Sequence, residues 1–181
     1  MNPLRRSVAA RSALLTVAIA LGGAAADPAT QAPAPAARPS ARAVAPDFSR
    51  RDLFGHPIRL SHYRGNVVLL NFWATWCVPC LAEVPRFSLW QTKYGGRGLR
   101  VLGVSMDDDA GPAEAAYRKY RLTYPVTMGD AALGEQYGGV LGLPLSFIID
   151  PSGRIVARYQ GETDLAALER RIVALLPAAH E

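Results

Sequence analysis

The stretch "NVVLLNFWATWCVPC", residues 66–80, joins a dense apolar run to the only two cysteines of the chain, Cys77 and Cys80. Residues 67–72 are β-branched, aliphatic or aromatic apart from one asparagine, and the run is too short for a typical helix, which predicts a central strand buried on both faces. Residues 81–98 then place apolar side chains near helical spacing and include a pair of glycines that would end a helix. The cysteines are therefore expected at a turn from a buried strand into a helix.

This position favours redox chemistry at the two cysteines. The N-terminus of a helix presents unpaired backbone N–H groups and partial positive charge, and both stabilise a thiolate at Cys77. Cys80 lies one helical turn further on, where its sulfur can reach Cys77 and form a disulfide. A thiolate at Cys77 can attack a substrate disulfide, and Cys80 can then resolve the mixed disulfide. The spacing therefore predicts a reversible dithiol.

Two other roles for the cysteine pair stay open at this point. A purely structural disulfide would close a very short loop and would constrain the unfolded chain only slightly. A structural zinc site needs about four ligands, and the three histidines, His56, His62 and His180, show no paired spacing. We rank the redox dithiol above both and expect no metal site.

The rest of the sequence predicts an α/β sandwich. Residues 99–106 are typical of a second buried strand, and residues 111–122 of a helix that begins near its proline. Residues 145–161 hold two more strands joined by a turn, which predicts a hairpin. An apolar stripe near the C-terminus predicts a last helix with Thr163 as its N-cap. This order of elements predicts a mixed sheet covered by helices on both faces.

The positive charge of the chain is concentrated near its N-terminus. The formal net charge is +5, but Arg5, Arg6 and Arg11 lie in a segment without acids, and the remaining chain has 17 basic and 15 acidic residues. No basic stripe remains, so we expect no nucleic-acid partner. Three adjacent acids at residues 107–109 cannot all face one ion and predict a solvated loop. No glycine-rich phosphate loop is present, and we expect no cofactor.

Residues 1–26 have the pattern of an export signal. Arg5 and Arg6 precede a short apolar run, and small residues around Ala26 predict cleavage after that residue. The run from residue 12 to residue 26 is shorter than the roughly 20 residues that span a bilayer. An uncleaved N-terminal membrane anchor is the alternative. We therefore predict a protein of a bacterial periplasm that contacts the membrane only if this segment is retained.

The signal is followed by a segment rich in alanine and proline, residues 27–44. Nothing in it is periodic or large enough to pack against a core, which predicts an extended, disordered linker. The folded domain is therefore expected to span residues 45–181.

Two blocks of the sequence resemble the thioredoxin superfamily. "VVLLNFWATWCVPC", residues 67–80, is similar to the active-site segment of that superfamily, and the glutamate and proline that follow resemble the TlpA/ResA-type periplasmic thiol–disulfide oxidoreductases. "GGVLGLPLSFIIDPSGRIVARYQG", residues 138–161, resembles their later segment, in which a proline precedes a strand. The resemblance covers residues 45–176. It implies a thioredoxin-like fold, with a mixed central β-sheet flanked by helices and an N-terminal β extension.

The resemblance also implies roles for individual residues. Cys77 would be the exposed nucleophile and Cys80 the resolving thiol. Pro144 would be a cis-proline that faces the pair, and the Leu143 backbone would pair with an extended substrate segment. Trp76 would flank the site as a flat contact surface. The alternative for Pro144 is an ordinary proline at the start of an edge strand.

A further implied role concerns proton transfer. Asn71 stands where cytoplasmic thioredoxins carry a buried acid, and an amide cannot take a proton from Cys80. TlpA/ResA-type proteins have a glutamate at the place of Glu83, three residues after the second cysteine. Partial burial would raise the pKa of Glu83 and let it move protons during resolution or tune the thiols. The alternative is a solvated acid near the positive end of its helix.

The direction of electron flow follows from the same resemblance. It favours a reductant that acts in cytochrome c assembly or on other disulfide-bearing client proteins. A periplasm is kept oxidising, so a membrane electron donor would have to supply the electrons. Two alternatives are a thiol peroxidase and a non-catalytic copper-binding module of related fold, although no histidine lies near Pro144 to complete a copper site.

Overall fold

The structure is a computed structural model that describes residues 43–178. The predicted signal peptide or anchor at residues 1–26 lies outside the described residues, as does nearly all of the linker predicted at residues 27–44. Within residues 43–178, no helix has both the length and the apolar character needed to cross a membrane.

In this part of the chain, five strands form a mixed central sheet. Their order across the sheet is Val126–Met128 (β5), Leu99–Ser105 (β4), Val67–Trp73 (β3), Leu145–Ile149 (β6) and Ile155–Gln160 (β7). The central strand β3, Val67–Trp73, pairs in parallel with β4, Leu99–Ser105, and antiparallel with β6, Leu145–Ile149. Beyond them, β5, Val126–Met128, lies parallel to β4, and β7, Ile155–Gln160, lies antiparallel to β6. The predicted mixed sheet is confirmed.

Four α-helices are present among the described residues, and each follows a strand; two short 3-10 helices span Leu60–Tyr63 and Gly95–Arg97. The α-helices are α1, Val78–Tyr94, after β3; α2, Ala110–Tyr120, after β4; α3, Ala131–Gln136, after β5; and α4, Leu165–Val173, after β7. Parallel neighbours such as β3 and β4 need a crossover connection, and a helix such as α1 is the usual one.

Strand β3 is buried along its whole length and separates two apolar clusters. Leu69 and Trp73 belong to the cluster that α1 and α4 cover. Leu70 and Phe72 belong to the opposite cluster, which α3 and the N-terminal extension cover. Successive side chains of a strand face opposite sides, so a strand covered on both sides is apolar at nearly every position. The prediction of a central strand buried on both faces is confirmed.

The N-terminal extension contains a small antiparallel hairpin and is hydrogen-bonded to both edge strands of the central sheet, β5 and β7. Its strands are β1, Ser49–Arg51, and β2, Pro57–Arg59. Leu53 N–H donates to the carbonyl oxygen of Val126 on β5 (2.8 Å), and Ile155 N–H on β7 donates to the carbonyl oxygen of Ala43 (2.8 Å). The expected β extension is confirmed, and its contacts begin at Ala43, within the predicted linker.

Two elements of the structure, β5 and α3, are not predicted from the sequence. They have three and six residues, and only Gly129 and Asp130 separate them. Neither segment holds enough positions to display a strand or helix period. Asp130 begins α3 as its N-cap, since its carboxylate accepts a hydrogen bond from Leu133 N–H (2.7 Å).

The predicted N-cap of the last helix is wrong by one residue. Asp164, not Thr163, caps α4, because its carboxylate accepts hydrogen bonds from the N–H groups of Ala166 (2.9 Å) and Ala167 (3.1 Å). The Thr163 hydroxyl donates instead to the carbonyl oxygen of Gly161 (3.1 Å).

Candidate redox site

Cys77 and Cys80 form a disulfide at the start of α1. Cys77 is the N-cap residue in an extended conformation, and its sulfur accepts a hydrogen bond from Cys80 N–H (3.3 Å). Pro79 lies in the first turn of the helix, where a missing N–H removes no intrahelical bond. The predicted strand-to-helix turn is confirmed, and it places the Cys77 sulfur where N–H groups and the helix dipole stabilise a thiolate.

Cys77 is less accessible than the resemblance implies. Cys77, expected to be an exposed nucleophile, is 6% exposed, and Cys80 is 1% exposed. Their neighbours Trp76 and Val78 are 68% and 78% exposed. The N–H of Cys77 donates to the carbonyl oxygen of Ala74 (3.2 Å), which closes a turn that includes Trp76. A protein that reaches the Cys77 sulfur must therefore contact its apolar neighbours as well.

The loop before β6 reaches the same apolar cluster as the cysteines. Leu143 is partly buried and packs against the cluster that contains Cys77 and Cys80. The peptide bond between Leu143 and Pro144 is cis, as the resemblance implies. The carbonyl oxygen of Pro144 accepts a hydrogen bond from Gly161 N–H (2.8 Å).

Glu83 is a buried acid on α1. It is 4% exposed and follows Cys80 by three residues, which makes the two side chains neighbours on the helix surface. The pKa of Glu83 is raised from 4.5 to about 7, chiefly by burial; a hydrogen bond from Thr163 N–H (3.3 Å) opposes the rise, and the nearby Glu162 adds to it. Glu83 is therefore not the solvated acid of the alternative interpretation, and its carboxyl group can exchange protons near neutral pH.

Asn71 occupies the middle of β3, on the side that faces α1. Its amide nitrogen donates to the Ser146 hydroxyl on β6 (3.0 Å), while its buried oxygen Oδ1 has no hydrogen-bond partner among the described residues. An amide does not titrate at neutral pH, so Asn71 contributes polarity but no proton to this side of the sheet.

The acidic run at residues 107–109 differs from the solvated loop that the sequence predicts. Asp108 and Asp109 are exposed, but Asp107 is 7% exposed. Its carboxylate accepts hydrogen bonds from the hydroxyl groups of Thr75 (2.7 Å) and Ser105 (2.8 Å). The bond from Ser105 could have been predicted from the sequence, because a serine two residues before an aspartate often forms a local hydrogen bond with it. Thr75 lies in the turn after β3, 32 residues earlier in the chain, and its contact with Asp107 could not be foreseen.

Within residues 43–178, no group of three or more His, Cys, Asp or Glu side chains is placed to hold a metal ion. His56 contacts Asp52 in the N-terminal hairpin (3.0 Å). His180 lies outside the described residues.

This chain is similar to known proteins in both its sequence and its fold. Residues 41–158 match the AhpC/TSA family. The thiol-disulfide oxidoreductase ResA of Geobacillus kaustophilus is 35% identical over 136 residues, which cover 74% of this chain and 77% of that protein. The protein of the same name from Bacillus thuringiensis subsp. konkukian is 32% identical over 133 residues with the same coverage.

The solved structures agree with this assignment. The crystal structure of a putative thiol:disulfide interchange protein DsbE from Chlorobium tepidum matches with a TM-score of 0.71 and 32% identity, over 76% of this chain and 98% of that one. The solution structure of a putative protein disulfide isomerase from Bacteroides thetaiotaomicron matches with a TM-score of 0.69 and 26% identity, over 76% and 91% of the two chains. The chain therefore belongs to the AhpC/TSA family and, within the thioredoxin superfamily, to the TlpA/ResA-type thiol–disulfide oxidoreductases.

Proposed function

We propose that the protein reduces disulfides of specific client proteins outside the cytoplasm. The observation that carries this proposal is the Cys77–Cys80 disulfide at the N-terminus of α1. Cys77 is the nucleophile because it is the N-cap residue and the more accessible of the two sulfurs. The pattern at residues 1–26 supports export to a periplasm.

In the first step, the Cys77 thiolate attacks one sulfur of the client disulfide. The client S–S bond breaks, and its second sulfur leaves as a thiolate that takes a proton from solvent. The Cys80 thiol then loses its proton, and its thiolate attacks the Cys77 sulfur of the mixed disulfide. The bond between Cys77 and the client sulfur breaks, and this sulfur leaves as a thiolate that takes the second proton. The client has then gained two electrons and two protons, while Cys77 and Cys80 have become the disulfide seen here.

Glu83 is the proposed acceptor of the Cys80 proton. The pKa of its buried carboxyl group, about 7, leaves a large ionised fraction near neutral pH that can take a proton from the neighbouring thiol. The transfer removes the negative charge of Glu83 as one forms on Cys80, so the buried site never holds both charges, which lowers the cost of the thiolate.

Clients are proposed to bind as extended segments with apolar side chains beside the cysteine. Three apolar side chains, Trp76, Val78 and Leu141, are largely exposed, and Leu143 packs at the same cluster as the cysteines. The Leu143 backbone precedes the cis-proline Pro144 and offers peptide groups to an extended segment.

The direction of the reaction follows from how strongly the thiolate is stabilised. Strong oxidants owe their character to a greatly stabilised thiolate. Here the Cys77 sulfur accepts one hydrogen bond from Cys80 N–H, and an ionised Glu83 would oppose a thiolate at the site. We therefore infer a reductant that is recharged by a membrane electron donor. Clients in cytochrome c assembly are part of the proposal because the resemblance favours them.

The reduction potential tests the direction. We expect equilibration with a dithiol buffer to give a value near that of thioredoxin, roughly −270 mV. A reduction potential of about −120 mV, that of the strongest disulfide donors, would contradict the proposed role as a reductant.

Capture of mixed disulfides tests whether the protein acts on disulfides of client proteins. In Cys80→Ala the mixed disulfide at Cys77 cannot be resolved, so proteins from a periplasmic extract should remain attached and be released by reductant. Cys77→Ala is the matched control and should capture none through the nucleophile. An absence of captured proteins, or tight stoichiometric Cu(I) binding without disulfide exchange, would overturn the proposed function.

A further inference from the structure

The ends of β3 and β4 remain joined beyond their last paired residues. The ladder between the two strands ends at the pair Trp73 and Ser105. One residue later, Met106 N–H donates to the carbonyl oxygen of Trp73 (2.8 Å). Past that point the Asp107 side chain continues the connection, since its two carboxylate oxygens lie 3.0 and 3.2 Å from the Thr75 backbone nitrogen.

Side-chain hydroxyl groups complete this connection. The Thr75 hydroxyl donates to Oδ1 of Asp107 (2.7 Å), and the Ser105 hydroxyl donates to Oδ2 (2.8 Å). Both carboxylate oxygens thus act as acceptors, as those of an ionised carboxylate do. Hydrogen bonds to a charged acceptor are stronger than neutral ones, so this cluster of Thr75, Ser105 and Asp107 holds Thr75 firmly.

Thr75 is two residues before the nucleophile. The segment from Ala74 to Cys77 is a turn closed by the bond from Cys77 N–H to the Ala74 carbonyl oxygen. Trp76 within it is largely exposed and so gains little packing that would hold the turn in place. Ala74 and Cys77 at the ends of the turn are buried in the core cluster, and between them the bonds from Thr75 to Asp107 are the tertiary hydrogen bonds that orient the turn.

We propose that Asp107 is a positioning residue for the thiol–disulfide reaction, which through Thr75 holds the Trp76–Cys77 segment so that the Cys77 sulfur stays at the N-terminus of α1. When that contact is lost, the sulfur moves away from Cys80 N–H and the positive end of the helix. The thiolate is then less stabilised and its approach to a disulfide is less well aligned.

Thr75→Val tests this role without a change in charge, because it removes the hydroxyl bond to Asp107 and keeps the shape of the side chain. The reduced proteins are alkylated over a range of pH to titrate Cys77, and their rate of reaction with oxidised glutathione is measured. We expect an upward shift of the Cys77 pKa and a loss of at least about fivefold in rate at pH 7. Thr75→Ser keeps the hydroxyl and should behave as wild type.

Asp107→Asn should produce the same two effects. Thr75 and Asp107 act through one shared group of hydrogen bonds, of which Thr75→Val removes only the hydroxyl bond. The double variant should therefore lose no more rate than the larger single loss. The sign of the Cys77 shift separates two explanations: loss of a nearby negative charge alone would lower the pKa of Cys77, whereas misplacement raises it. If Asp107→Asn fails to fold, the comparison of Thr75→Val with Thr75→Ser decides.

A remote substitution controls for general loss of stability. The Thr123 hydroxyl donates to the carbonyl oxygen of Ser88 (3.0 Å), away from the turn. Thr123→Val should reduce stability and leave the Cys77 titration and the glutathione rate unchanged. The proposal is overturned if Thr75→Val keeps the wild-type titration and rate, or if Thr123→Val shifts them as much as Thr75→Val does.

Discussion

Glu83 keeps a carboxyl group in the apolar interior beside the redox pair, and this placement links stability to pH. Its pKa is about 7 in the folded protein, above the 4.5 of the same group in the unfolded chain. The folded state therefore binds more protons than the unfolded state between these values, and stability falls as pH rises through this window. Below about pH 4.5 both states hold the proton and the ionisation cost is absent.

Replacing Glu83 with a neutral residue should remove this pH dependence. We expect Glu83→Gln to gain stability relative to wild type as pH rises from 4 to 8, by at most about 3 kcal/mol. Urea unfolding of the oxidised proteins at both pH values measures the difference. Glu135 is exposed on α3, and Glu135→Gln should show no comparable change. A difference between Glu83→Gln and wild type that stays constant from pH 4 to pH 8 would argue against the buried, raised-pKa carboxyl.

At the scale of elements, α4 depends on Asp164, the N-cap residue just before it. The first N–H groups of a helix have no partner within the helix, and the Asp164 carboxylate accepts from those of Ala166 and Ala167. The helix then packs Leu168 and Ile172 against the cluster that contains the cysteines. Its N-cap therefore supports one wall of the redox site.

Removal of this cap should cost stability. Asp164→Ala is expected to lower the free energy of unfolding by about 1 kcal/mol, because two N–H groups lose their acceptor. Asp164→Asn keeps an acceptor oxygen and should lose clearly less. Chemical denaturation of the three proteins measures both values. Equal losses in the alanine and asparagine variants would mean that capping is not what Asp164 contributes.

At the scale of the whole molecule, the N-terminal extension is held to the domain by contacts between residues far apart in sequence. Tyr137, fully buried after α3, donates its hydroxyl to the carbonyl oxygen of Pro46 (2.7 Å). Arg50 and Asp130 add an exposed ion pair at 2.8 Å, which contributes little because solvent screens it. The partly buried hydrogen bond from Tyr137 is therefore the more important polar link.

Tyr137→Phe should loosen this link without a large loss of apolar contact. The Pro46 carbonyl oxygen would be left without its donor in a partly buried place, at a cost of about 1 kcal/mol. Urea unfolding gives the change in free energy. Tyr120→Phe removes a hydroxyl from a half-exposed tyrosine at the end of α2 and should change stability by less. Equal stability of Tyr137→Phe and wild type would show that the bond carries no net free energy.

The elements that could be predicted from sequence are the long ones with a clear period. Strand β3 and helix α1 follow from apolar runs that neighbours along the chain define, and β5 and α3 were missed because three and six residues display no period. The N-cap of α4 was missed by one residue because Thr163 and Asp164 are both good caps. The backbone N–H of Thr163 donates to Glu83, 80 positions earlier in the chain.

The amino-acid sequence by itself determined the spacing of Cys77 and Cys80, the strand before them and the helix after them. These features depend on contacts between residues that are close together in the chain. Tertiary structure alone decided how little of Cys77 is exposed, how far the pKa of Glu83 rises and where Asp107 points. Burial and hydrogen-bond partners come from segments distant in sequence: Thr75 and Asp107 are 32 residues apart, and Glu83 and Thr163 are 80 apart. The reason is that a local pattern defines which face of an element is apolar, whereas only the assembled sheet and helices define what that face touches.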